Sequence, residues 1–392
     1  MTTLKQTKNK FRKKLDRKFK KEIFQMLYKM FCILPINNNK ISILSDSRKS
    51  LSDNFQFVYD ELERRHRYEY FFLLKESVKK RKRYSEIIKL AYHIATSKVI
   101  MLDDFYPMIY PLKIRKSADL FQIWHAVGAF KTFGYSRVGK VGGPNPNSKN
   151  HRNYTKVIVS SSEVAPFYAE GFGVDINKVV PTGVPRTDVF FDEDYKNNKN
   201  QKLYEQYPEL QGKKVILYAP TFRGNGQSSA HFPMEQLDLE SIYEQLDDNS
   251  VLLIKLHPFV KKKVSIPVEY GDKIKDFTKY PSVNDLLFIT DLLITDYSSV
   301  CFEYALLNKP MIFYCFDLEE YIETRDFYIP YQDFTPGPIV RTCDEMIQKI
   351  KDFSDVEKVD YTKFTDKFFE DLDGQSTERV ADLIESCMKS KS

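Results

Sequence analysis

Long apolar runs are missing from this 392-residue chain. No stretch approaches the roughly eighteen consecutive apolar residues that a bilayer-spanning helix needs. Cysteine is scarce: Cys32, Cys301, Cys315, Cys343 and Cys387 are odd in number, widely spaced and contain no CxxC pair. That pattern excludes a disulfide framework or a zinc knuckle and fits reduced thiols in a cytosolic protein. The start of the chain, Met1 to Lys21, is polar and basic with no apolar centre, so it does not read as a secretory leader. There is no GxxxxGK[ST], no GxGxxG behind a strand and no HExxH or HxxH, which removes P-loop chemistry and zinc hydrolysis.

What is present is ample core material: 42% of the residues are hydrophobic and 29% charged, and the length suits two domains. Positive charge is concentrated at one end. Residues 1–30 hold eleven Lys/Arg against Asp16 and Glu22, a net of +9, so the rest carries −3 of the total +6. A nucleic-acid binder spreads its basic residues over a folded face, so nucleic acid is not expected as a partner. Within this basic segment Phe11, Leu15, Phe19, Ile23, Leu27 and Met30/Phe31 recur about every four residues. On a helix they form an apolar stripe flanked by lysines and arginines, the pattern of a helix lying in an anionic membrane surface. The competing reading is a solvated basic helix whose stripe packs on the body.

After Pro35 short apolar runs alternate with amphipathic stretches. The runs 41–46, 68–74, 98–104, 120–126, 156–162 and 178–184 read as strands, with helices such as 53–65 and 84–96 between them. A polar, Asn/Lys-rich stretch (195–203) reads as a connection. A second series follows at 214–220, 251–258, 291–297 and 309–317. Two β/α series imply an α/β protein of two facing Rossmann-like domains behind a basic amphipathic helix: residues 1–35, 36–195 and 196–392. Ligands in such sheets bind beyond the carboxyl ends of the strands.

Four clusters occupy such ends. In QIWHAVGAFKTFG (122–134) a strand delivers His125, a natural general base near neutral pH, and Gly128 opens the turn. In LYAPTFRGNG (217–226), Thr221 and Arg223 follow a strand, and an arginine fork suits phosphate. LIKLHPF (253–259) ends at His257, so the two halves each supply a histidine, and a pair facing across a cleft is expected. In LLITDYSSVCFEYALLNKPMIFY (292–314), Ser298 and Ser299 open a helix whose free N–H groups suit an anion, with Asp296 or Ser298 as its cap. Downstream, ETRDFY (323–328) adds Thr324 and Arg325. Asp103-Asp104 look like an acidic metal pair, but a strand-end turn is the better explanation of them. Taken singly, each of these has a structural explanation: a core histidine, a surface arginine, a helix cap.

In this order the clusters resemble the CDP-glycerol glycerophosphotransferase family of teichoic-acid primases and polymerases. The matching pieces are WHAVGAFKTFG (124–134), TGVPRTDVF (182–190), YAPTFR (218–223), KLHP (255–258), DLLITDYSSVCFEYALLNKP (291–310), PGPIV (336–340) and DGQSTERV (373–380), spanning about residues 40–385. Many members carry WHGTPLK where this chain has WHAVGAFK. The resemblance implies a GT-B-like fold at the cytoplasmic face of the membrane. It implies transfer of glycerol or ribitol phosphate from a CDP-polyol to an undecaprenyl-linked acceptor, with release of CMP. It makes His125 the candidate base, places His257 at the donor pyrophosphate and Ser298 and Ser299 at a phosphate-binding helix start, and sets Arg325 near the donor phosphates. Only Asp296 is acidic among these residues, so no cofactor and no tightly bound metal are expected. Two other functions remain in play: a GT-B enzyme using a nucleotide-sugar, and a non-enzymatic polyanion-binding protein driven by the basic segment.

Overall fold

A computed structural model describes residues 2–77, 80–140, 142–224, 229–262, 264–353, 356 and 358–390, with side chains described from residue 15 onward. The chain forms two compact units. Unit 1 comprises Met1–Ala126, Phe133–Asp188 and Gln375–Ser392; unit 2 comprises Val127–Thr132 and Val189–Gly374.

The sheet of unit 1 uses β1 (Asn37–Ser45), β2 (Glu69–Leu74), β3 (Ser97–Leu102), β4 (Asp119–Gln122), β5 (Lys156–Ile158) and β6 (Val179–Val180). They run parallel in the order β2-β1-β3-β4-β5-β6. From Lys40 to Ser45 every β1 residue is buried, as is all of β3, because helices cover both faces of a parallel sheet. Chain order reverses direction between β1 and β3, which makes the loops after these strands the crevice of this sheet.

Unit 2 holds β7 (Lys214–Tyr218), β8 (Ser250–Ile254), β9 (Ile274–Asp276), β10 (Leu292–Thr295), β11 (Met311–Tyr314) and β12 (Ile339–Val340). Their order, β12-β11-β10-β7-β8-β9, is the 3-2-1-4-5-6 arrangement of doubly wound nucleotide-binding sheets, again all parallel. The switch point here lies between β7 and β10, directly under Thr221–Arg223 and Asp296–Ser299.

The ten expected strands all form, and helices Asn54–Arg65 and Tyr84–Thr96 fall where periodicity puts them. Four features differ from expectation. The polar stretch at 195–203 is the middle of helix Glu193–Gln206, whose start is capped by Asp192 accepting from Tyr195 N; side-chain polarity there marks a solvated face. The short strands β9 and β12 escape notice because two or three residues carry no readable period.

The unit boundaries are also less simple than 36–195 and 196–392, because the C-terminal helix Ser376–Lys389 returns to unit 1. Its Val380, Ala381, Ile384, Cys387 and Met388 join the core of Phe55, Val58, Val99 and Phe121. Each large aliphatic group so buried contributes about 1.5–3 kcal/mol, enough to hold a tail far from its sequence neighbours. Asp188 fastens the helix start by accepting from Ser376 N (3.0 Å) and Thr377 N (2.7 Å), and Arg379 Nε donates to Thr182 O at 2.9 Å. Residues 182–188 and 376–379, from the TGVPRTDVF and DGQSTERV pieces, therefore clasp each other within unit 1.

Finally, the single apolar stripe of the basic segment is divided. The helix Thr2–Phe31 packs on helix Tyr84–Thr96 through buried Phe24 and Tyr28, while Ile23, Leu27 and Phe31 are half-buried. Phe31 meets Tyr92 edge-on and Tyr28 Oη donates to Lys113 O. Leu15, Phe19, Met26 and Met30 remain exposed on another face, among exposed Arg17, Lys18, Lys21 and Lys29. The side chain of Phe11 lies outside the described residues. Among the described residues no helix is long and apolar enough to cross a membrane.

Candidate active site

On unit 1, His125 stands just past the end of β4, its ring against Trp124 (centroids 4.5 Å apart). Its Nδ1 lies 3.3 Å from the carbonyl oxygen of Asp103, which follows β3. A carbonyl only accepts, so Nδ1 carries the proton and Nε2 keeps its lone pair. That tautomer is the one a general base requires. The Asp103 backbone is held by its own side chain, which forms a buried ion pair with the Arg48 guanidinium across the switch point. Arg48 reaches Asp53 as well, at 2.7 Å. Burial pushes the Asp103 carboxyl above its ordinary value, while the charge of Arg48 pulls against it. Asp104 accepts from Ser47 Oγ at 2.6 Å and from the amide of Phe105. The acidic pair thus serves the turn, and among the described residues no group of three or more His, Cys, Asp or Glu is arranged to hold a metal.

On unit 2, Asp296 is the organiser. Its Oδ1 accepts from Thr221 N (2.7 Å) and Tyr297 N (2.5 Å), and its Oδ2 from Arg223 Nη1 (2.9 Å). It does not cap the following helix, as the sequence suggested: its oxygens are spent joining the ends of β7 and β10. That helix, Val300–Ala305, is six residues long, and its first turn receives one long bond, Val300 N to Ser298 Oγ at 3.4 Å. Ser298 and Ser299 are half-buried at its start.

Arg223 is drawn further into structure than a phosphate clamp would be. Its Nε and Nη2 make a fork onto Asp317 (2.5 and 2.8 Å), and its plane lies 5.0–5.3 Å from the Tyr297, Phe316 and Tyr321 rings. Burial works against its charged form, but Asp296 and Asp317 together raise its pKa well above the ordinary arginine range. Among the described residues, Thr221 Oγ1 is buried without a hydrogen-bond partner. Thr324 Oγ1 bonds back to Glu320 O and Tyr321 O within its own helix, Leu318–Arg325. Arg325 Nη2 donates to Gly224 O at 2.7 Å. Arg223, Thr324, Arg325 and Asp317 line one cavity of about 570 Å³.

His257, after β8, takes the opposite tautomer to His125. Its Nδ1 accepts from Phe259 N at 3.1 Å, so the proton sits on Nε2, available for donation to an anion. Burial, reinforced by the charges of Lys131 and Lys255, lowers its pKa to about 4, which keeps the ring neutral at working pH. The two histidines therefore differ in which ring nitrogen carries the proton, by virtue of what each Nδ1 meets.

Sequence reasoning missed two charged members of this cluster. Asp317 follows the apolar run of β11 and reads as an ordinary strand end until its bond to Arg223 is seen. Lys131 lies within the quoted QIWHAVGAFKTFG piece, six residues past His125, but belongs to unit 2. Gly128 explains part of this. With φ at 62°, it turns the chain where a Cβ would lie 2.3 Å from the Phe302 ring.

A family model described as CDP-glycerol:poly(glycerophosphate) glycerophosphotransferase matches residues 26–386. The chain belongs to this family. It is 57% identical over 370 residues to a teichoic acid poly(ribitol-phosphate) polymerase of Bacillus spizizenii, covering 94% of this chain but 60% of that protein. It is 47% identical to the ribitol-phosphate polymerase TarK of Staphylococcus aureus, over 92% of this chain and 72% of TarK. A ribitol-phosphate primase of B. spizizenii is 38% identical over 94% of this chain and 97% of its own length. The fold is that of the wall teichoic acid polymerase TagF, with a TM-score of 0.74 at 23% identity over 97% of this chain and 98% of the solved TagF chain. A UDP-GlcNAc 2-epimerase of Methanocaldococcus jannaschii shares the fold more distantly, at a TM-score of 0.54 and 14% identity over 88% of this chain and 99% of the epimerase.

Proposed function

We propose that this chain transfers ribitol phosphate from CDP-ribitol to a lipid-linked teichoic-acid-like acceptor, releasing CMP. The observation that carries this reading is the cavity beside the switch point of the unit 2 sheet, where Arg223 and Arg325 stand with Asp317 and Glu320, in a family of polyol-phosphate transferases. Ribitol is favoured over glycerol because the relatives at 57%, 47%, 46% and 38% identity are named for ribitol phosphate, and the glycerol-phosphate enzymes stand at 33% and below. His125 Nε2 takes the proton of the acceptor's terminal hydroxyl as that oxygen attacks the β-phosphorus of the donor. The new O–P bond forms as the P–O bond to CMP breaks, and the leaving CMP keeps the bridging oxygen. Neutral His257 donates from Nε2 to the donor phosphates, with Arg325, Ser298, Ser299 and Thr221 completing the cradle. The diphosphate charge is met by side chains, which is the electrostatic part of catalysis. Wild-type enzyme with CDP-ribitol and a synthetic lipid-linked acceptor is expected to release CMP, and to keep most of that activity after exhaustive EDTA treatment. Loss in EDTA reversed by Mg²⁺ would instead assign a carboxylate to metal binding.

The exposed face of the N-terminal helix supports attachment to an anionic membrane surface at the cytoplasmic side. Leu15, Phe19, Met26 and Met30 offer apolar contact, and each adjacent Lys or Arg near such a surface contributes about 1 kcal/mol. Wild type is expected to pellet with phosphatidylglycerol-containing liposomes and to be released as salt rises, since screening weakens the attraction. Leu15→Ser with Phe19→Ser should weaken pelleting, and because both side chains are exposed the fold should be unaffected. Pelleting that ignores both salt and these substitutions would remove the membrane assignment.

A further inference from the structure

We propose that Lys131 is a donor-diphosphate ligand, the cation that completes the cradle on unit 2; the proposal rests on the CDP-polyol reading above. Lys131 is half-buried, and among the described residues its ammonium has neither an ion pair nor a hydrogen bond. Its contacts are faces of aromatic rings: Nζ lies 5.4 Å from the Phe130 centroid and 5.5 Å from that of Tyr321.

Its surroundings are short of negative charge. Facing it are Asp296 and Cys301 from β10 and the helix after it, Arg223 from beyond β7, His257 from beyond β8, and Tyr321 and Arg325 from helix Leu318–Arg325. The nearby carboxylates, Asp296 and Asp317, are occupied by Arg223, Tyr297 and backbone amides. Of the groups that act on Lys131, Arg325 and Arg223 are cationic and the carboxylate, Asp296, is already engaged by Arg223, which leaves a place for an anion. A cation partly withdrawn from water without a partner carries a cost, and a bound anion removes it.

The position of Lys131 is also fixed on both sides. Lys131 pairs with Phe327 as an antiparallel bridge, and Tyr328 N donates to Phe130 O at 2.7 Å. Thr132 N donates to Asp326 O at 3.2 Å, and Thr132 Oγ1 to Arg325 O at 3.1 Å. Phe130 stacks on Phe327 and Phe334, with planes 13° apart in each case. Lys131 and Arg325 are thus clamped as neighbours, a pair of cations held together where mutual repulsion would otherwise part them. Such preorganisation makes sense when a diphosphate sits between them.

Burial lowers the Lys131 pKa to about 8, with Asp296 pulling it up and Arg325 and Arg223 pushing it down. The charged form prevails below that value and is lost as pH rises through it, so anion binding should fail on the alkaline side. CDP is a suitable probe, because its diphosphate is fully ionised from mildly alkaline pH upward. Titration calorimetry of the full chain with CDP at pH 7.5 and 9.5 provides the test.

Lys131→Met is expected to weaken CDP binding about ten- to a hundredfold at pH 7.5, the range for losing one charge-assisted bond. Wild type should lose affinity between the two pH values, whereas Lys131→Arg should hold it, because a guanidinium stays charged throughout. Should Lys131→Met not fold, wild type against Lys131→Arg still decides. CDP affinity that is equal for wild type and Lys131→Arg at both pH values, or unchanged in a folded Lys131→Met, overturns the proposal. CMP release separates the two claims. Lys131-dependent CDP binding without CMP release from any CDP-polyol would leave this site standing and sink the transfer reading; CMP release indifferent to Lys131→Met would do the reverse.

Discussion

His125→Ala is expected to lower turnover by about 10²–10⁴-fold, the usual contribution of general acid–base catalysis. The expectation rests on a specific atom. Asp103 O fixes the proton on Nδ1, so Nε2 is the free base, and the Arg48–Asp103 ion pair holds that carbonyl in place. Alanine removes the base without touching the cluster on unit 2. CDP affinity should therefore stay within about twofold of wild type while kcat collapses, the pattern of an interaction made only in the transition state. Steady-state CMP release with saturating acceptor, alongside calorimetric CDP titration, reads both quantities. Near-normal kcat would make His125 structural, while a parallel loss of CDP affinity would place it with the donor phosphates.

The sequence made some of this legible and hid the rest for identifiable reasons. Strands such as β1 and β8 announce themselves because a parallel strand covered on both faces is a continuous apolar run. That His125, Thr221, His257 and Ser298 stand just beyond strand ends was readable, because each follows a short apolar run. What a side chain bonds to was not readable. Arg223 looks free in YAPTFR, yet its fork is taken by Asp317, which lies 94 residues away. Asp296 looks like a cap, yet it spends its oxygens across the switch point. The basic helix looks like one stripe, and the packing of Phe24 and Tyr28 on its neighbour divides it in two. Lys131 shows the same limit most clearly. Its place in the chain puts it beside His125, while the pairing of residues 130–132 with 326–328 carries it into unit 2.

Asp296→Ala should be the most damaging single change in unit 2, costing about 3–5 kcal/mol of stability, the range for breaking a buried charge pair by removing one partner. Two backbone donors, Thr221 N and Tyr297 N, lose their acceptor together, and Arg223 Nη1 loses its carboxylate partner while keeping Thr221 O. Arg223 retains its fork on Asp317, so the damage concentrates at the junction of β7 and β10, where two backbone amides are stranded away from water. Asp296→Asn is the sharper probe, because its amide oxygen still accepts from one backbone N–H but offers no charge to Arg223 or Lys131. Urea unfolding should then show a smaller loss than for alanine. The functional effect should exceed the structural one. Asp296 is the carboxylate that raises the Lys131 pKa against its cationic neighbours, so neutralising it drives that pKa below about 8. The alkaline limb of kcat/KM for the donor should shift to lower pH in Asp296→Asn, since that parameter reports the free enzyme's ionisations. Lys131→Arg in the same background should abolish the shift. A stability loss under about 1 kcal/mol for Asp296→Ala would mean that the switch-point junction is held by something other than this carboxylate. An alkaline limb unmoved in Asp296→Asn would break the electrostatic link between Asp296 and Lys131.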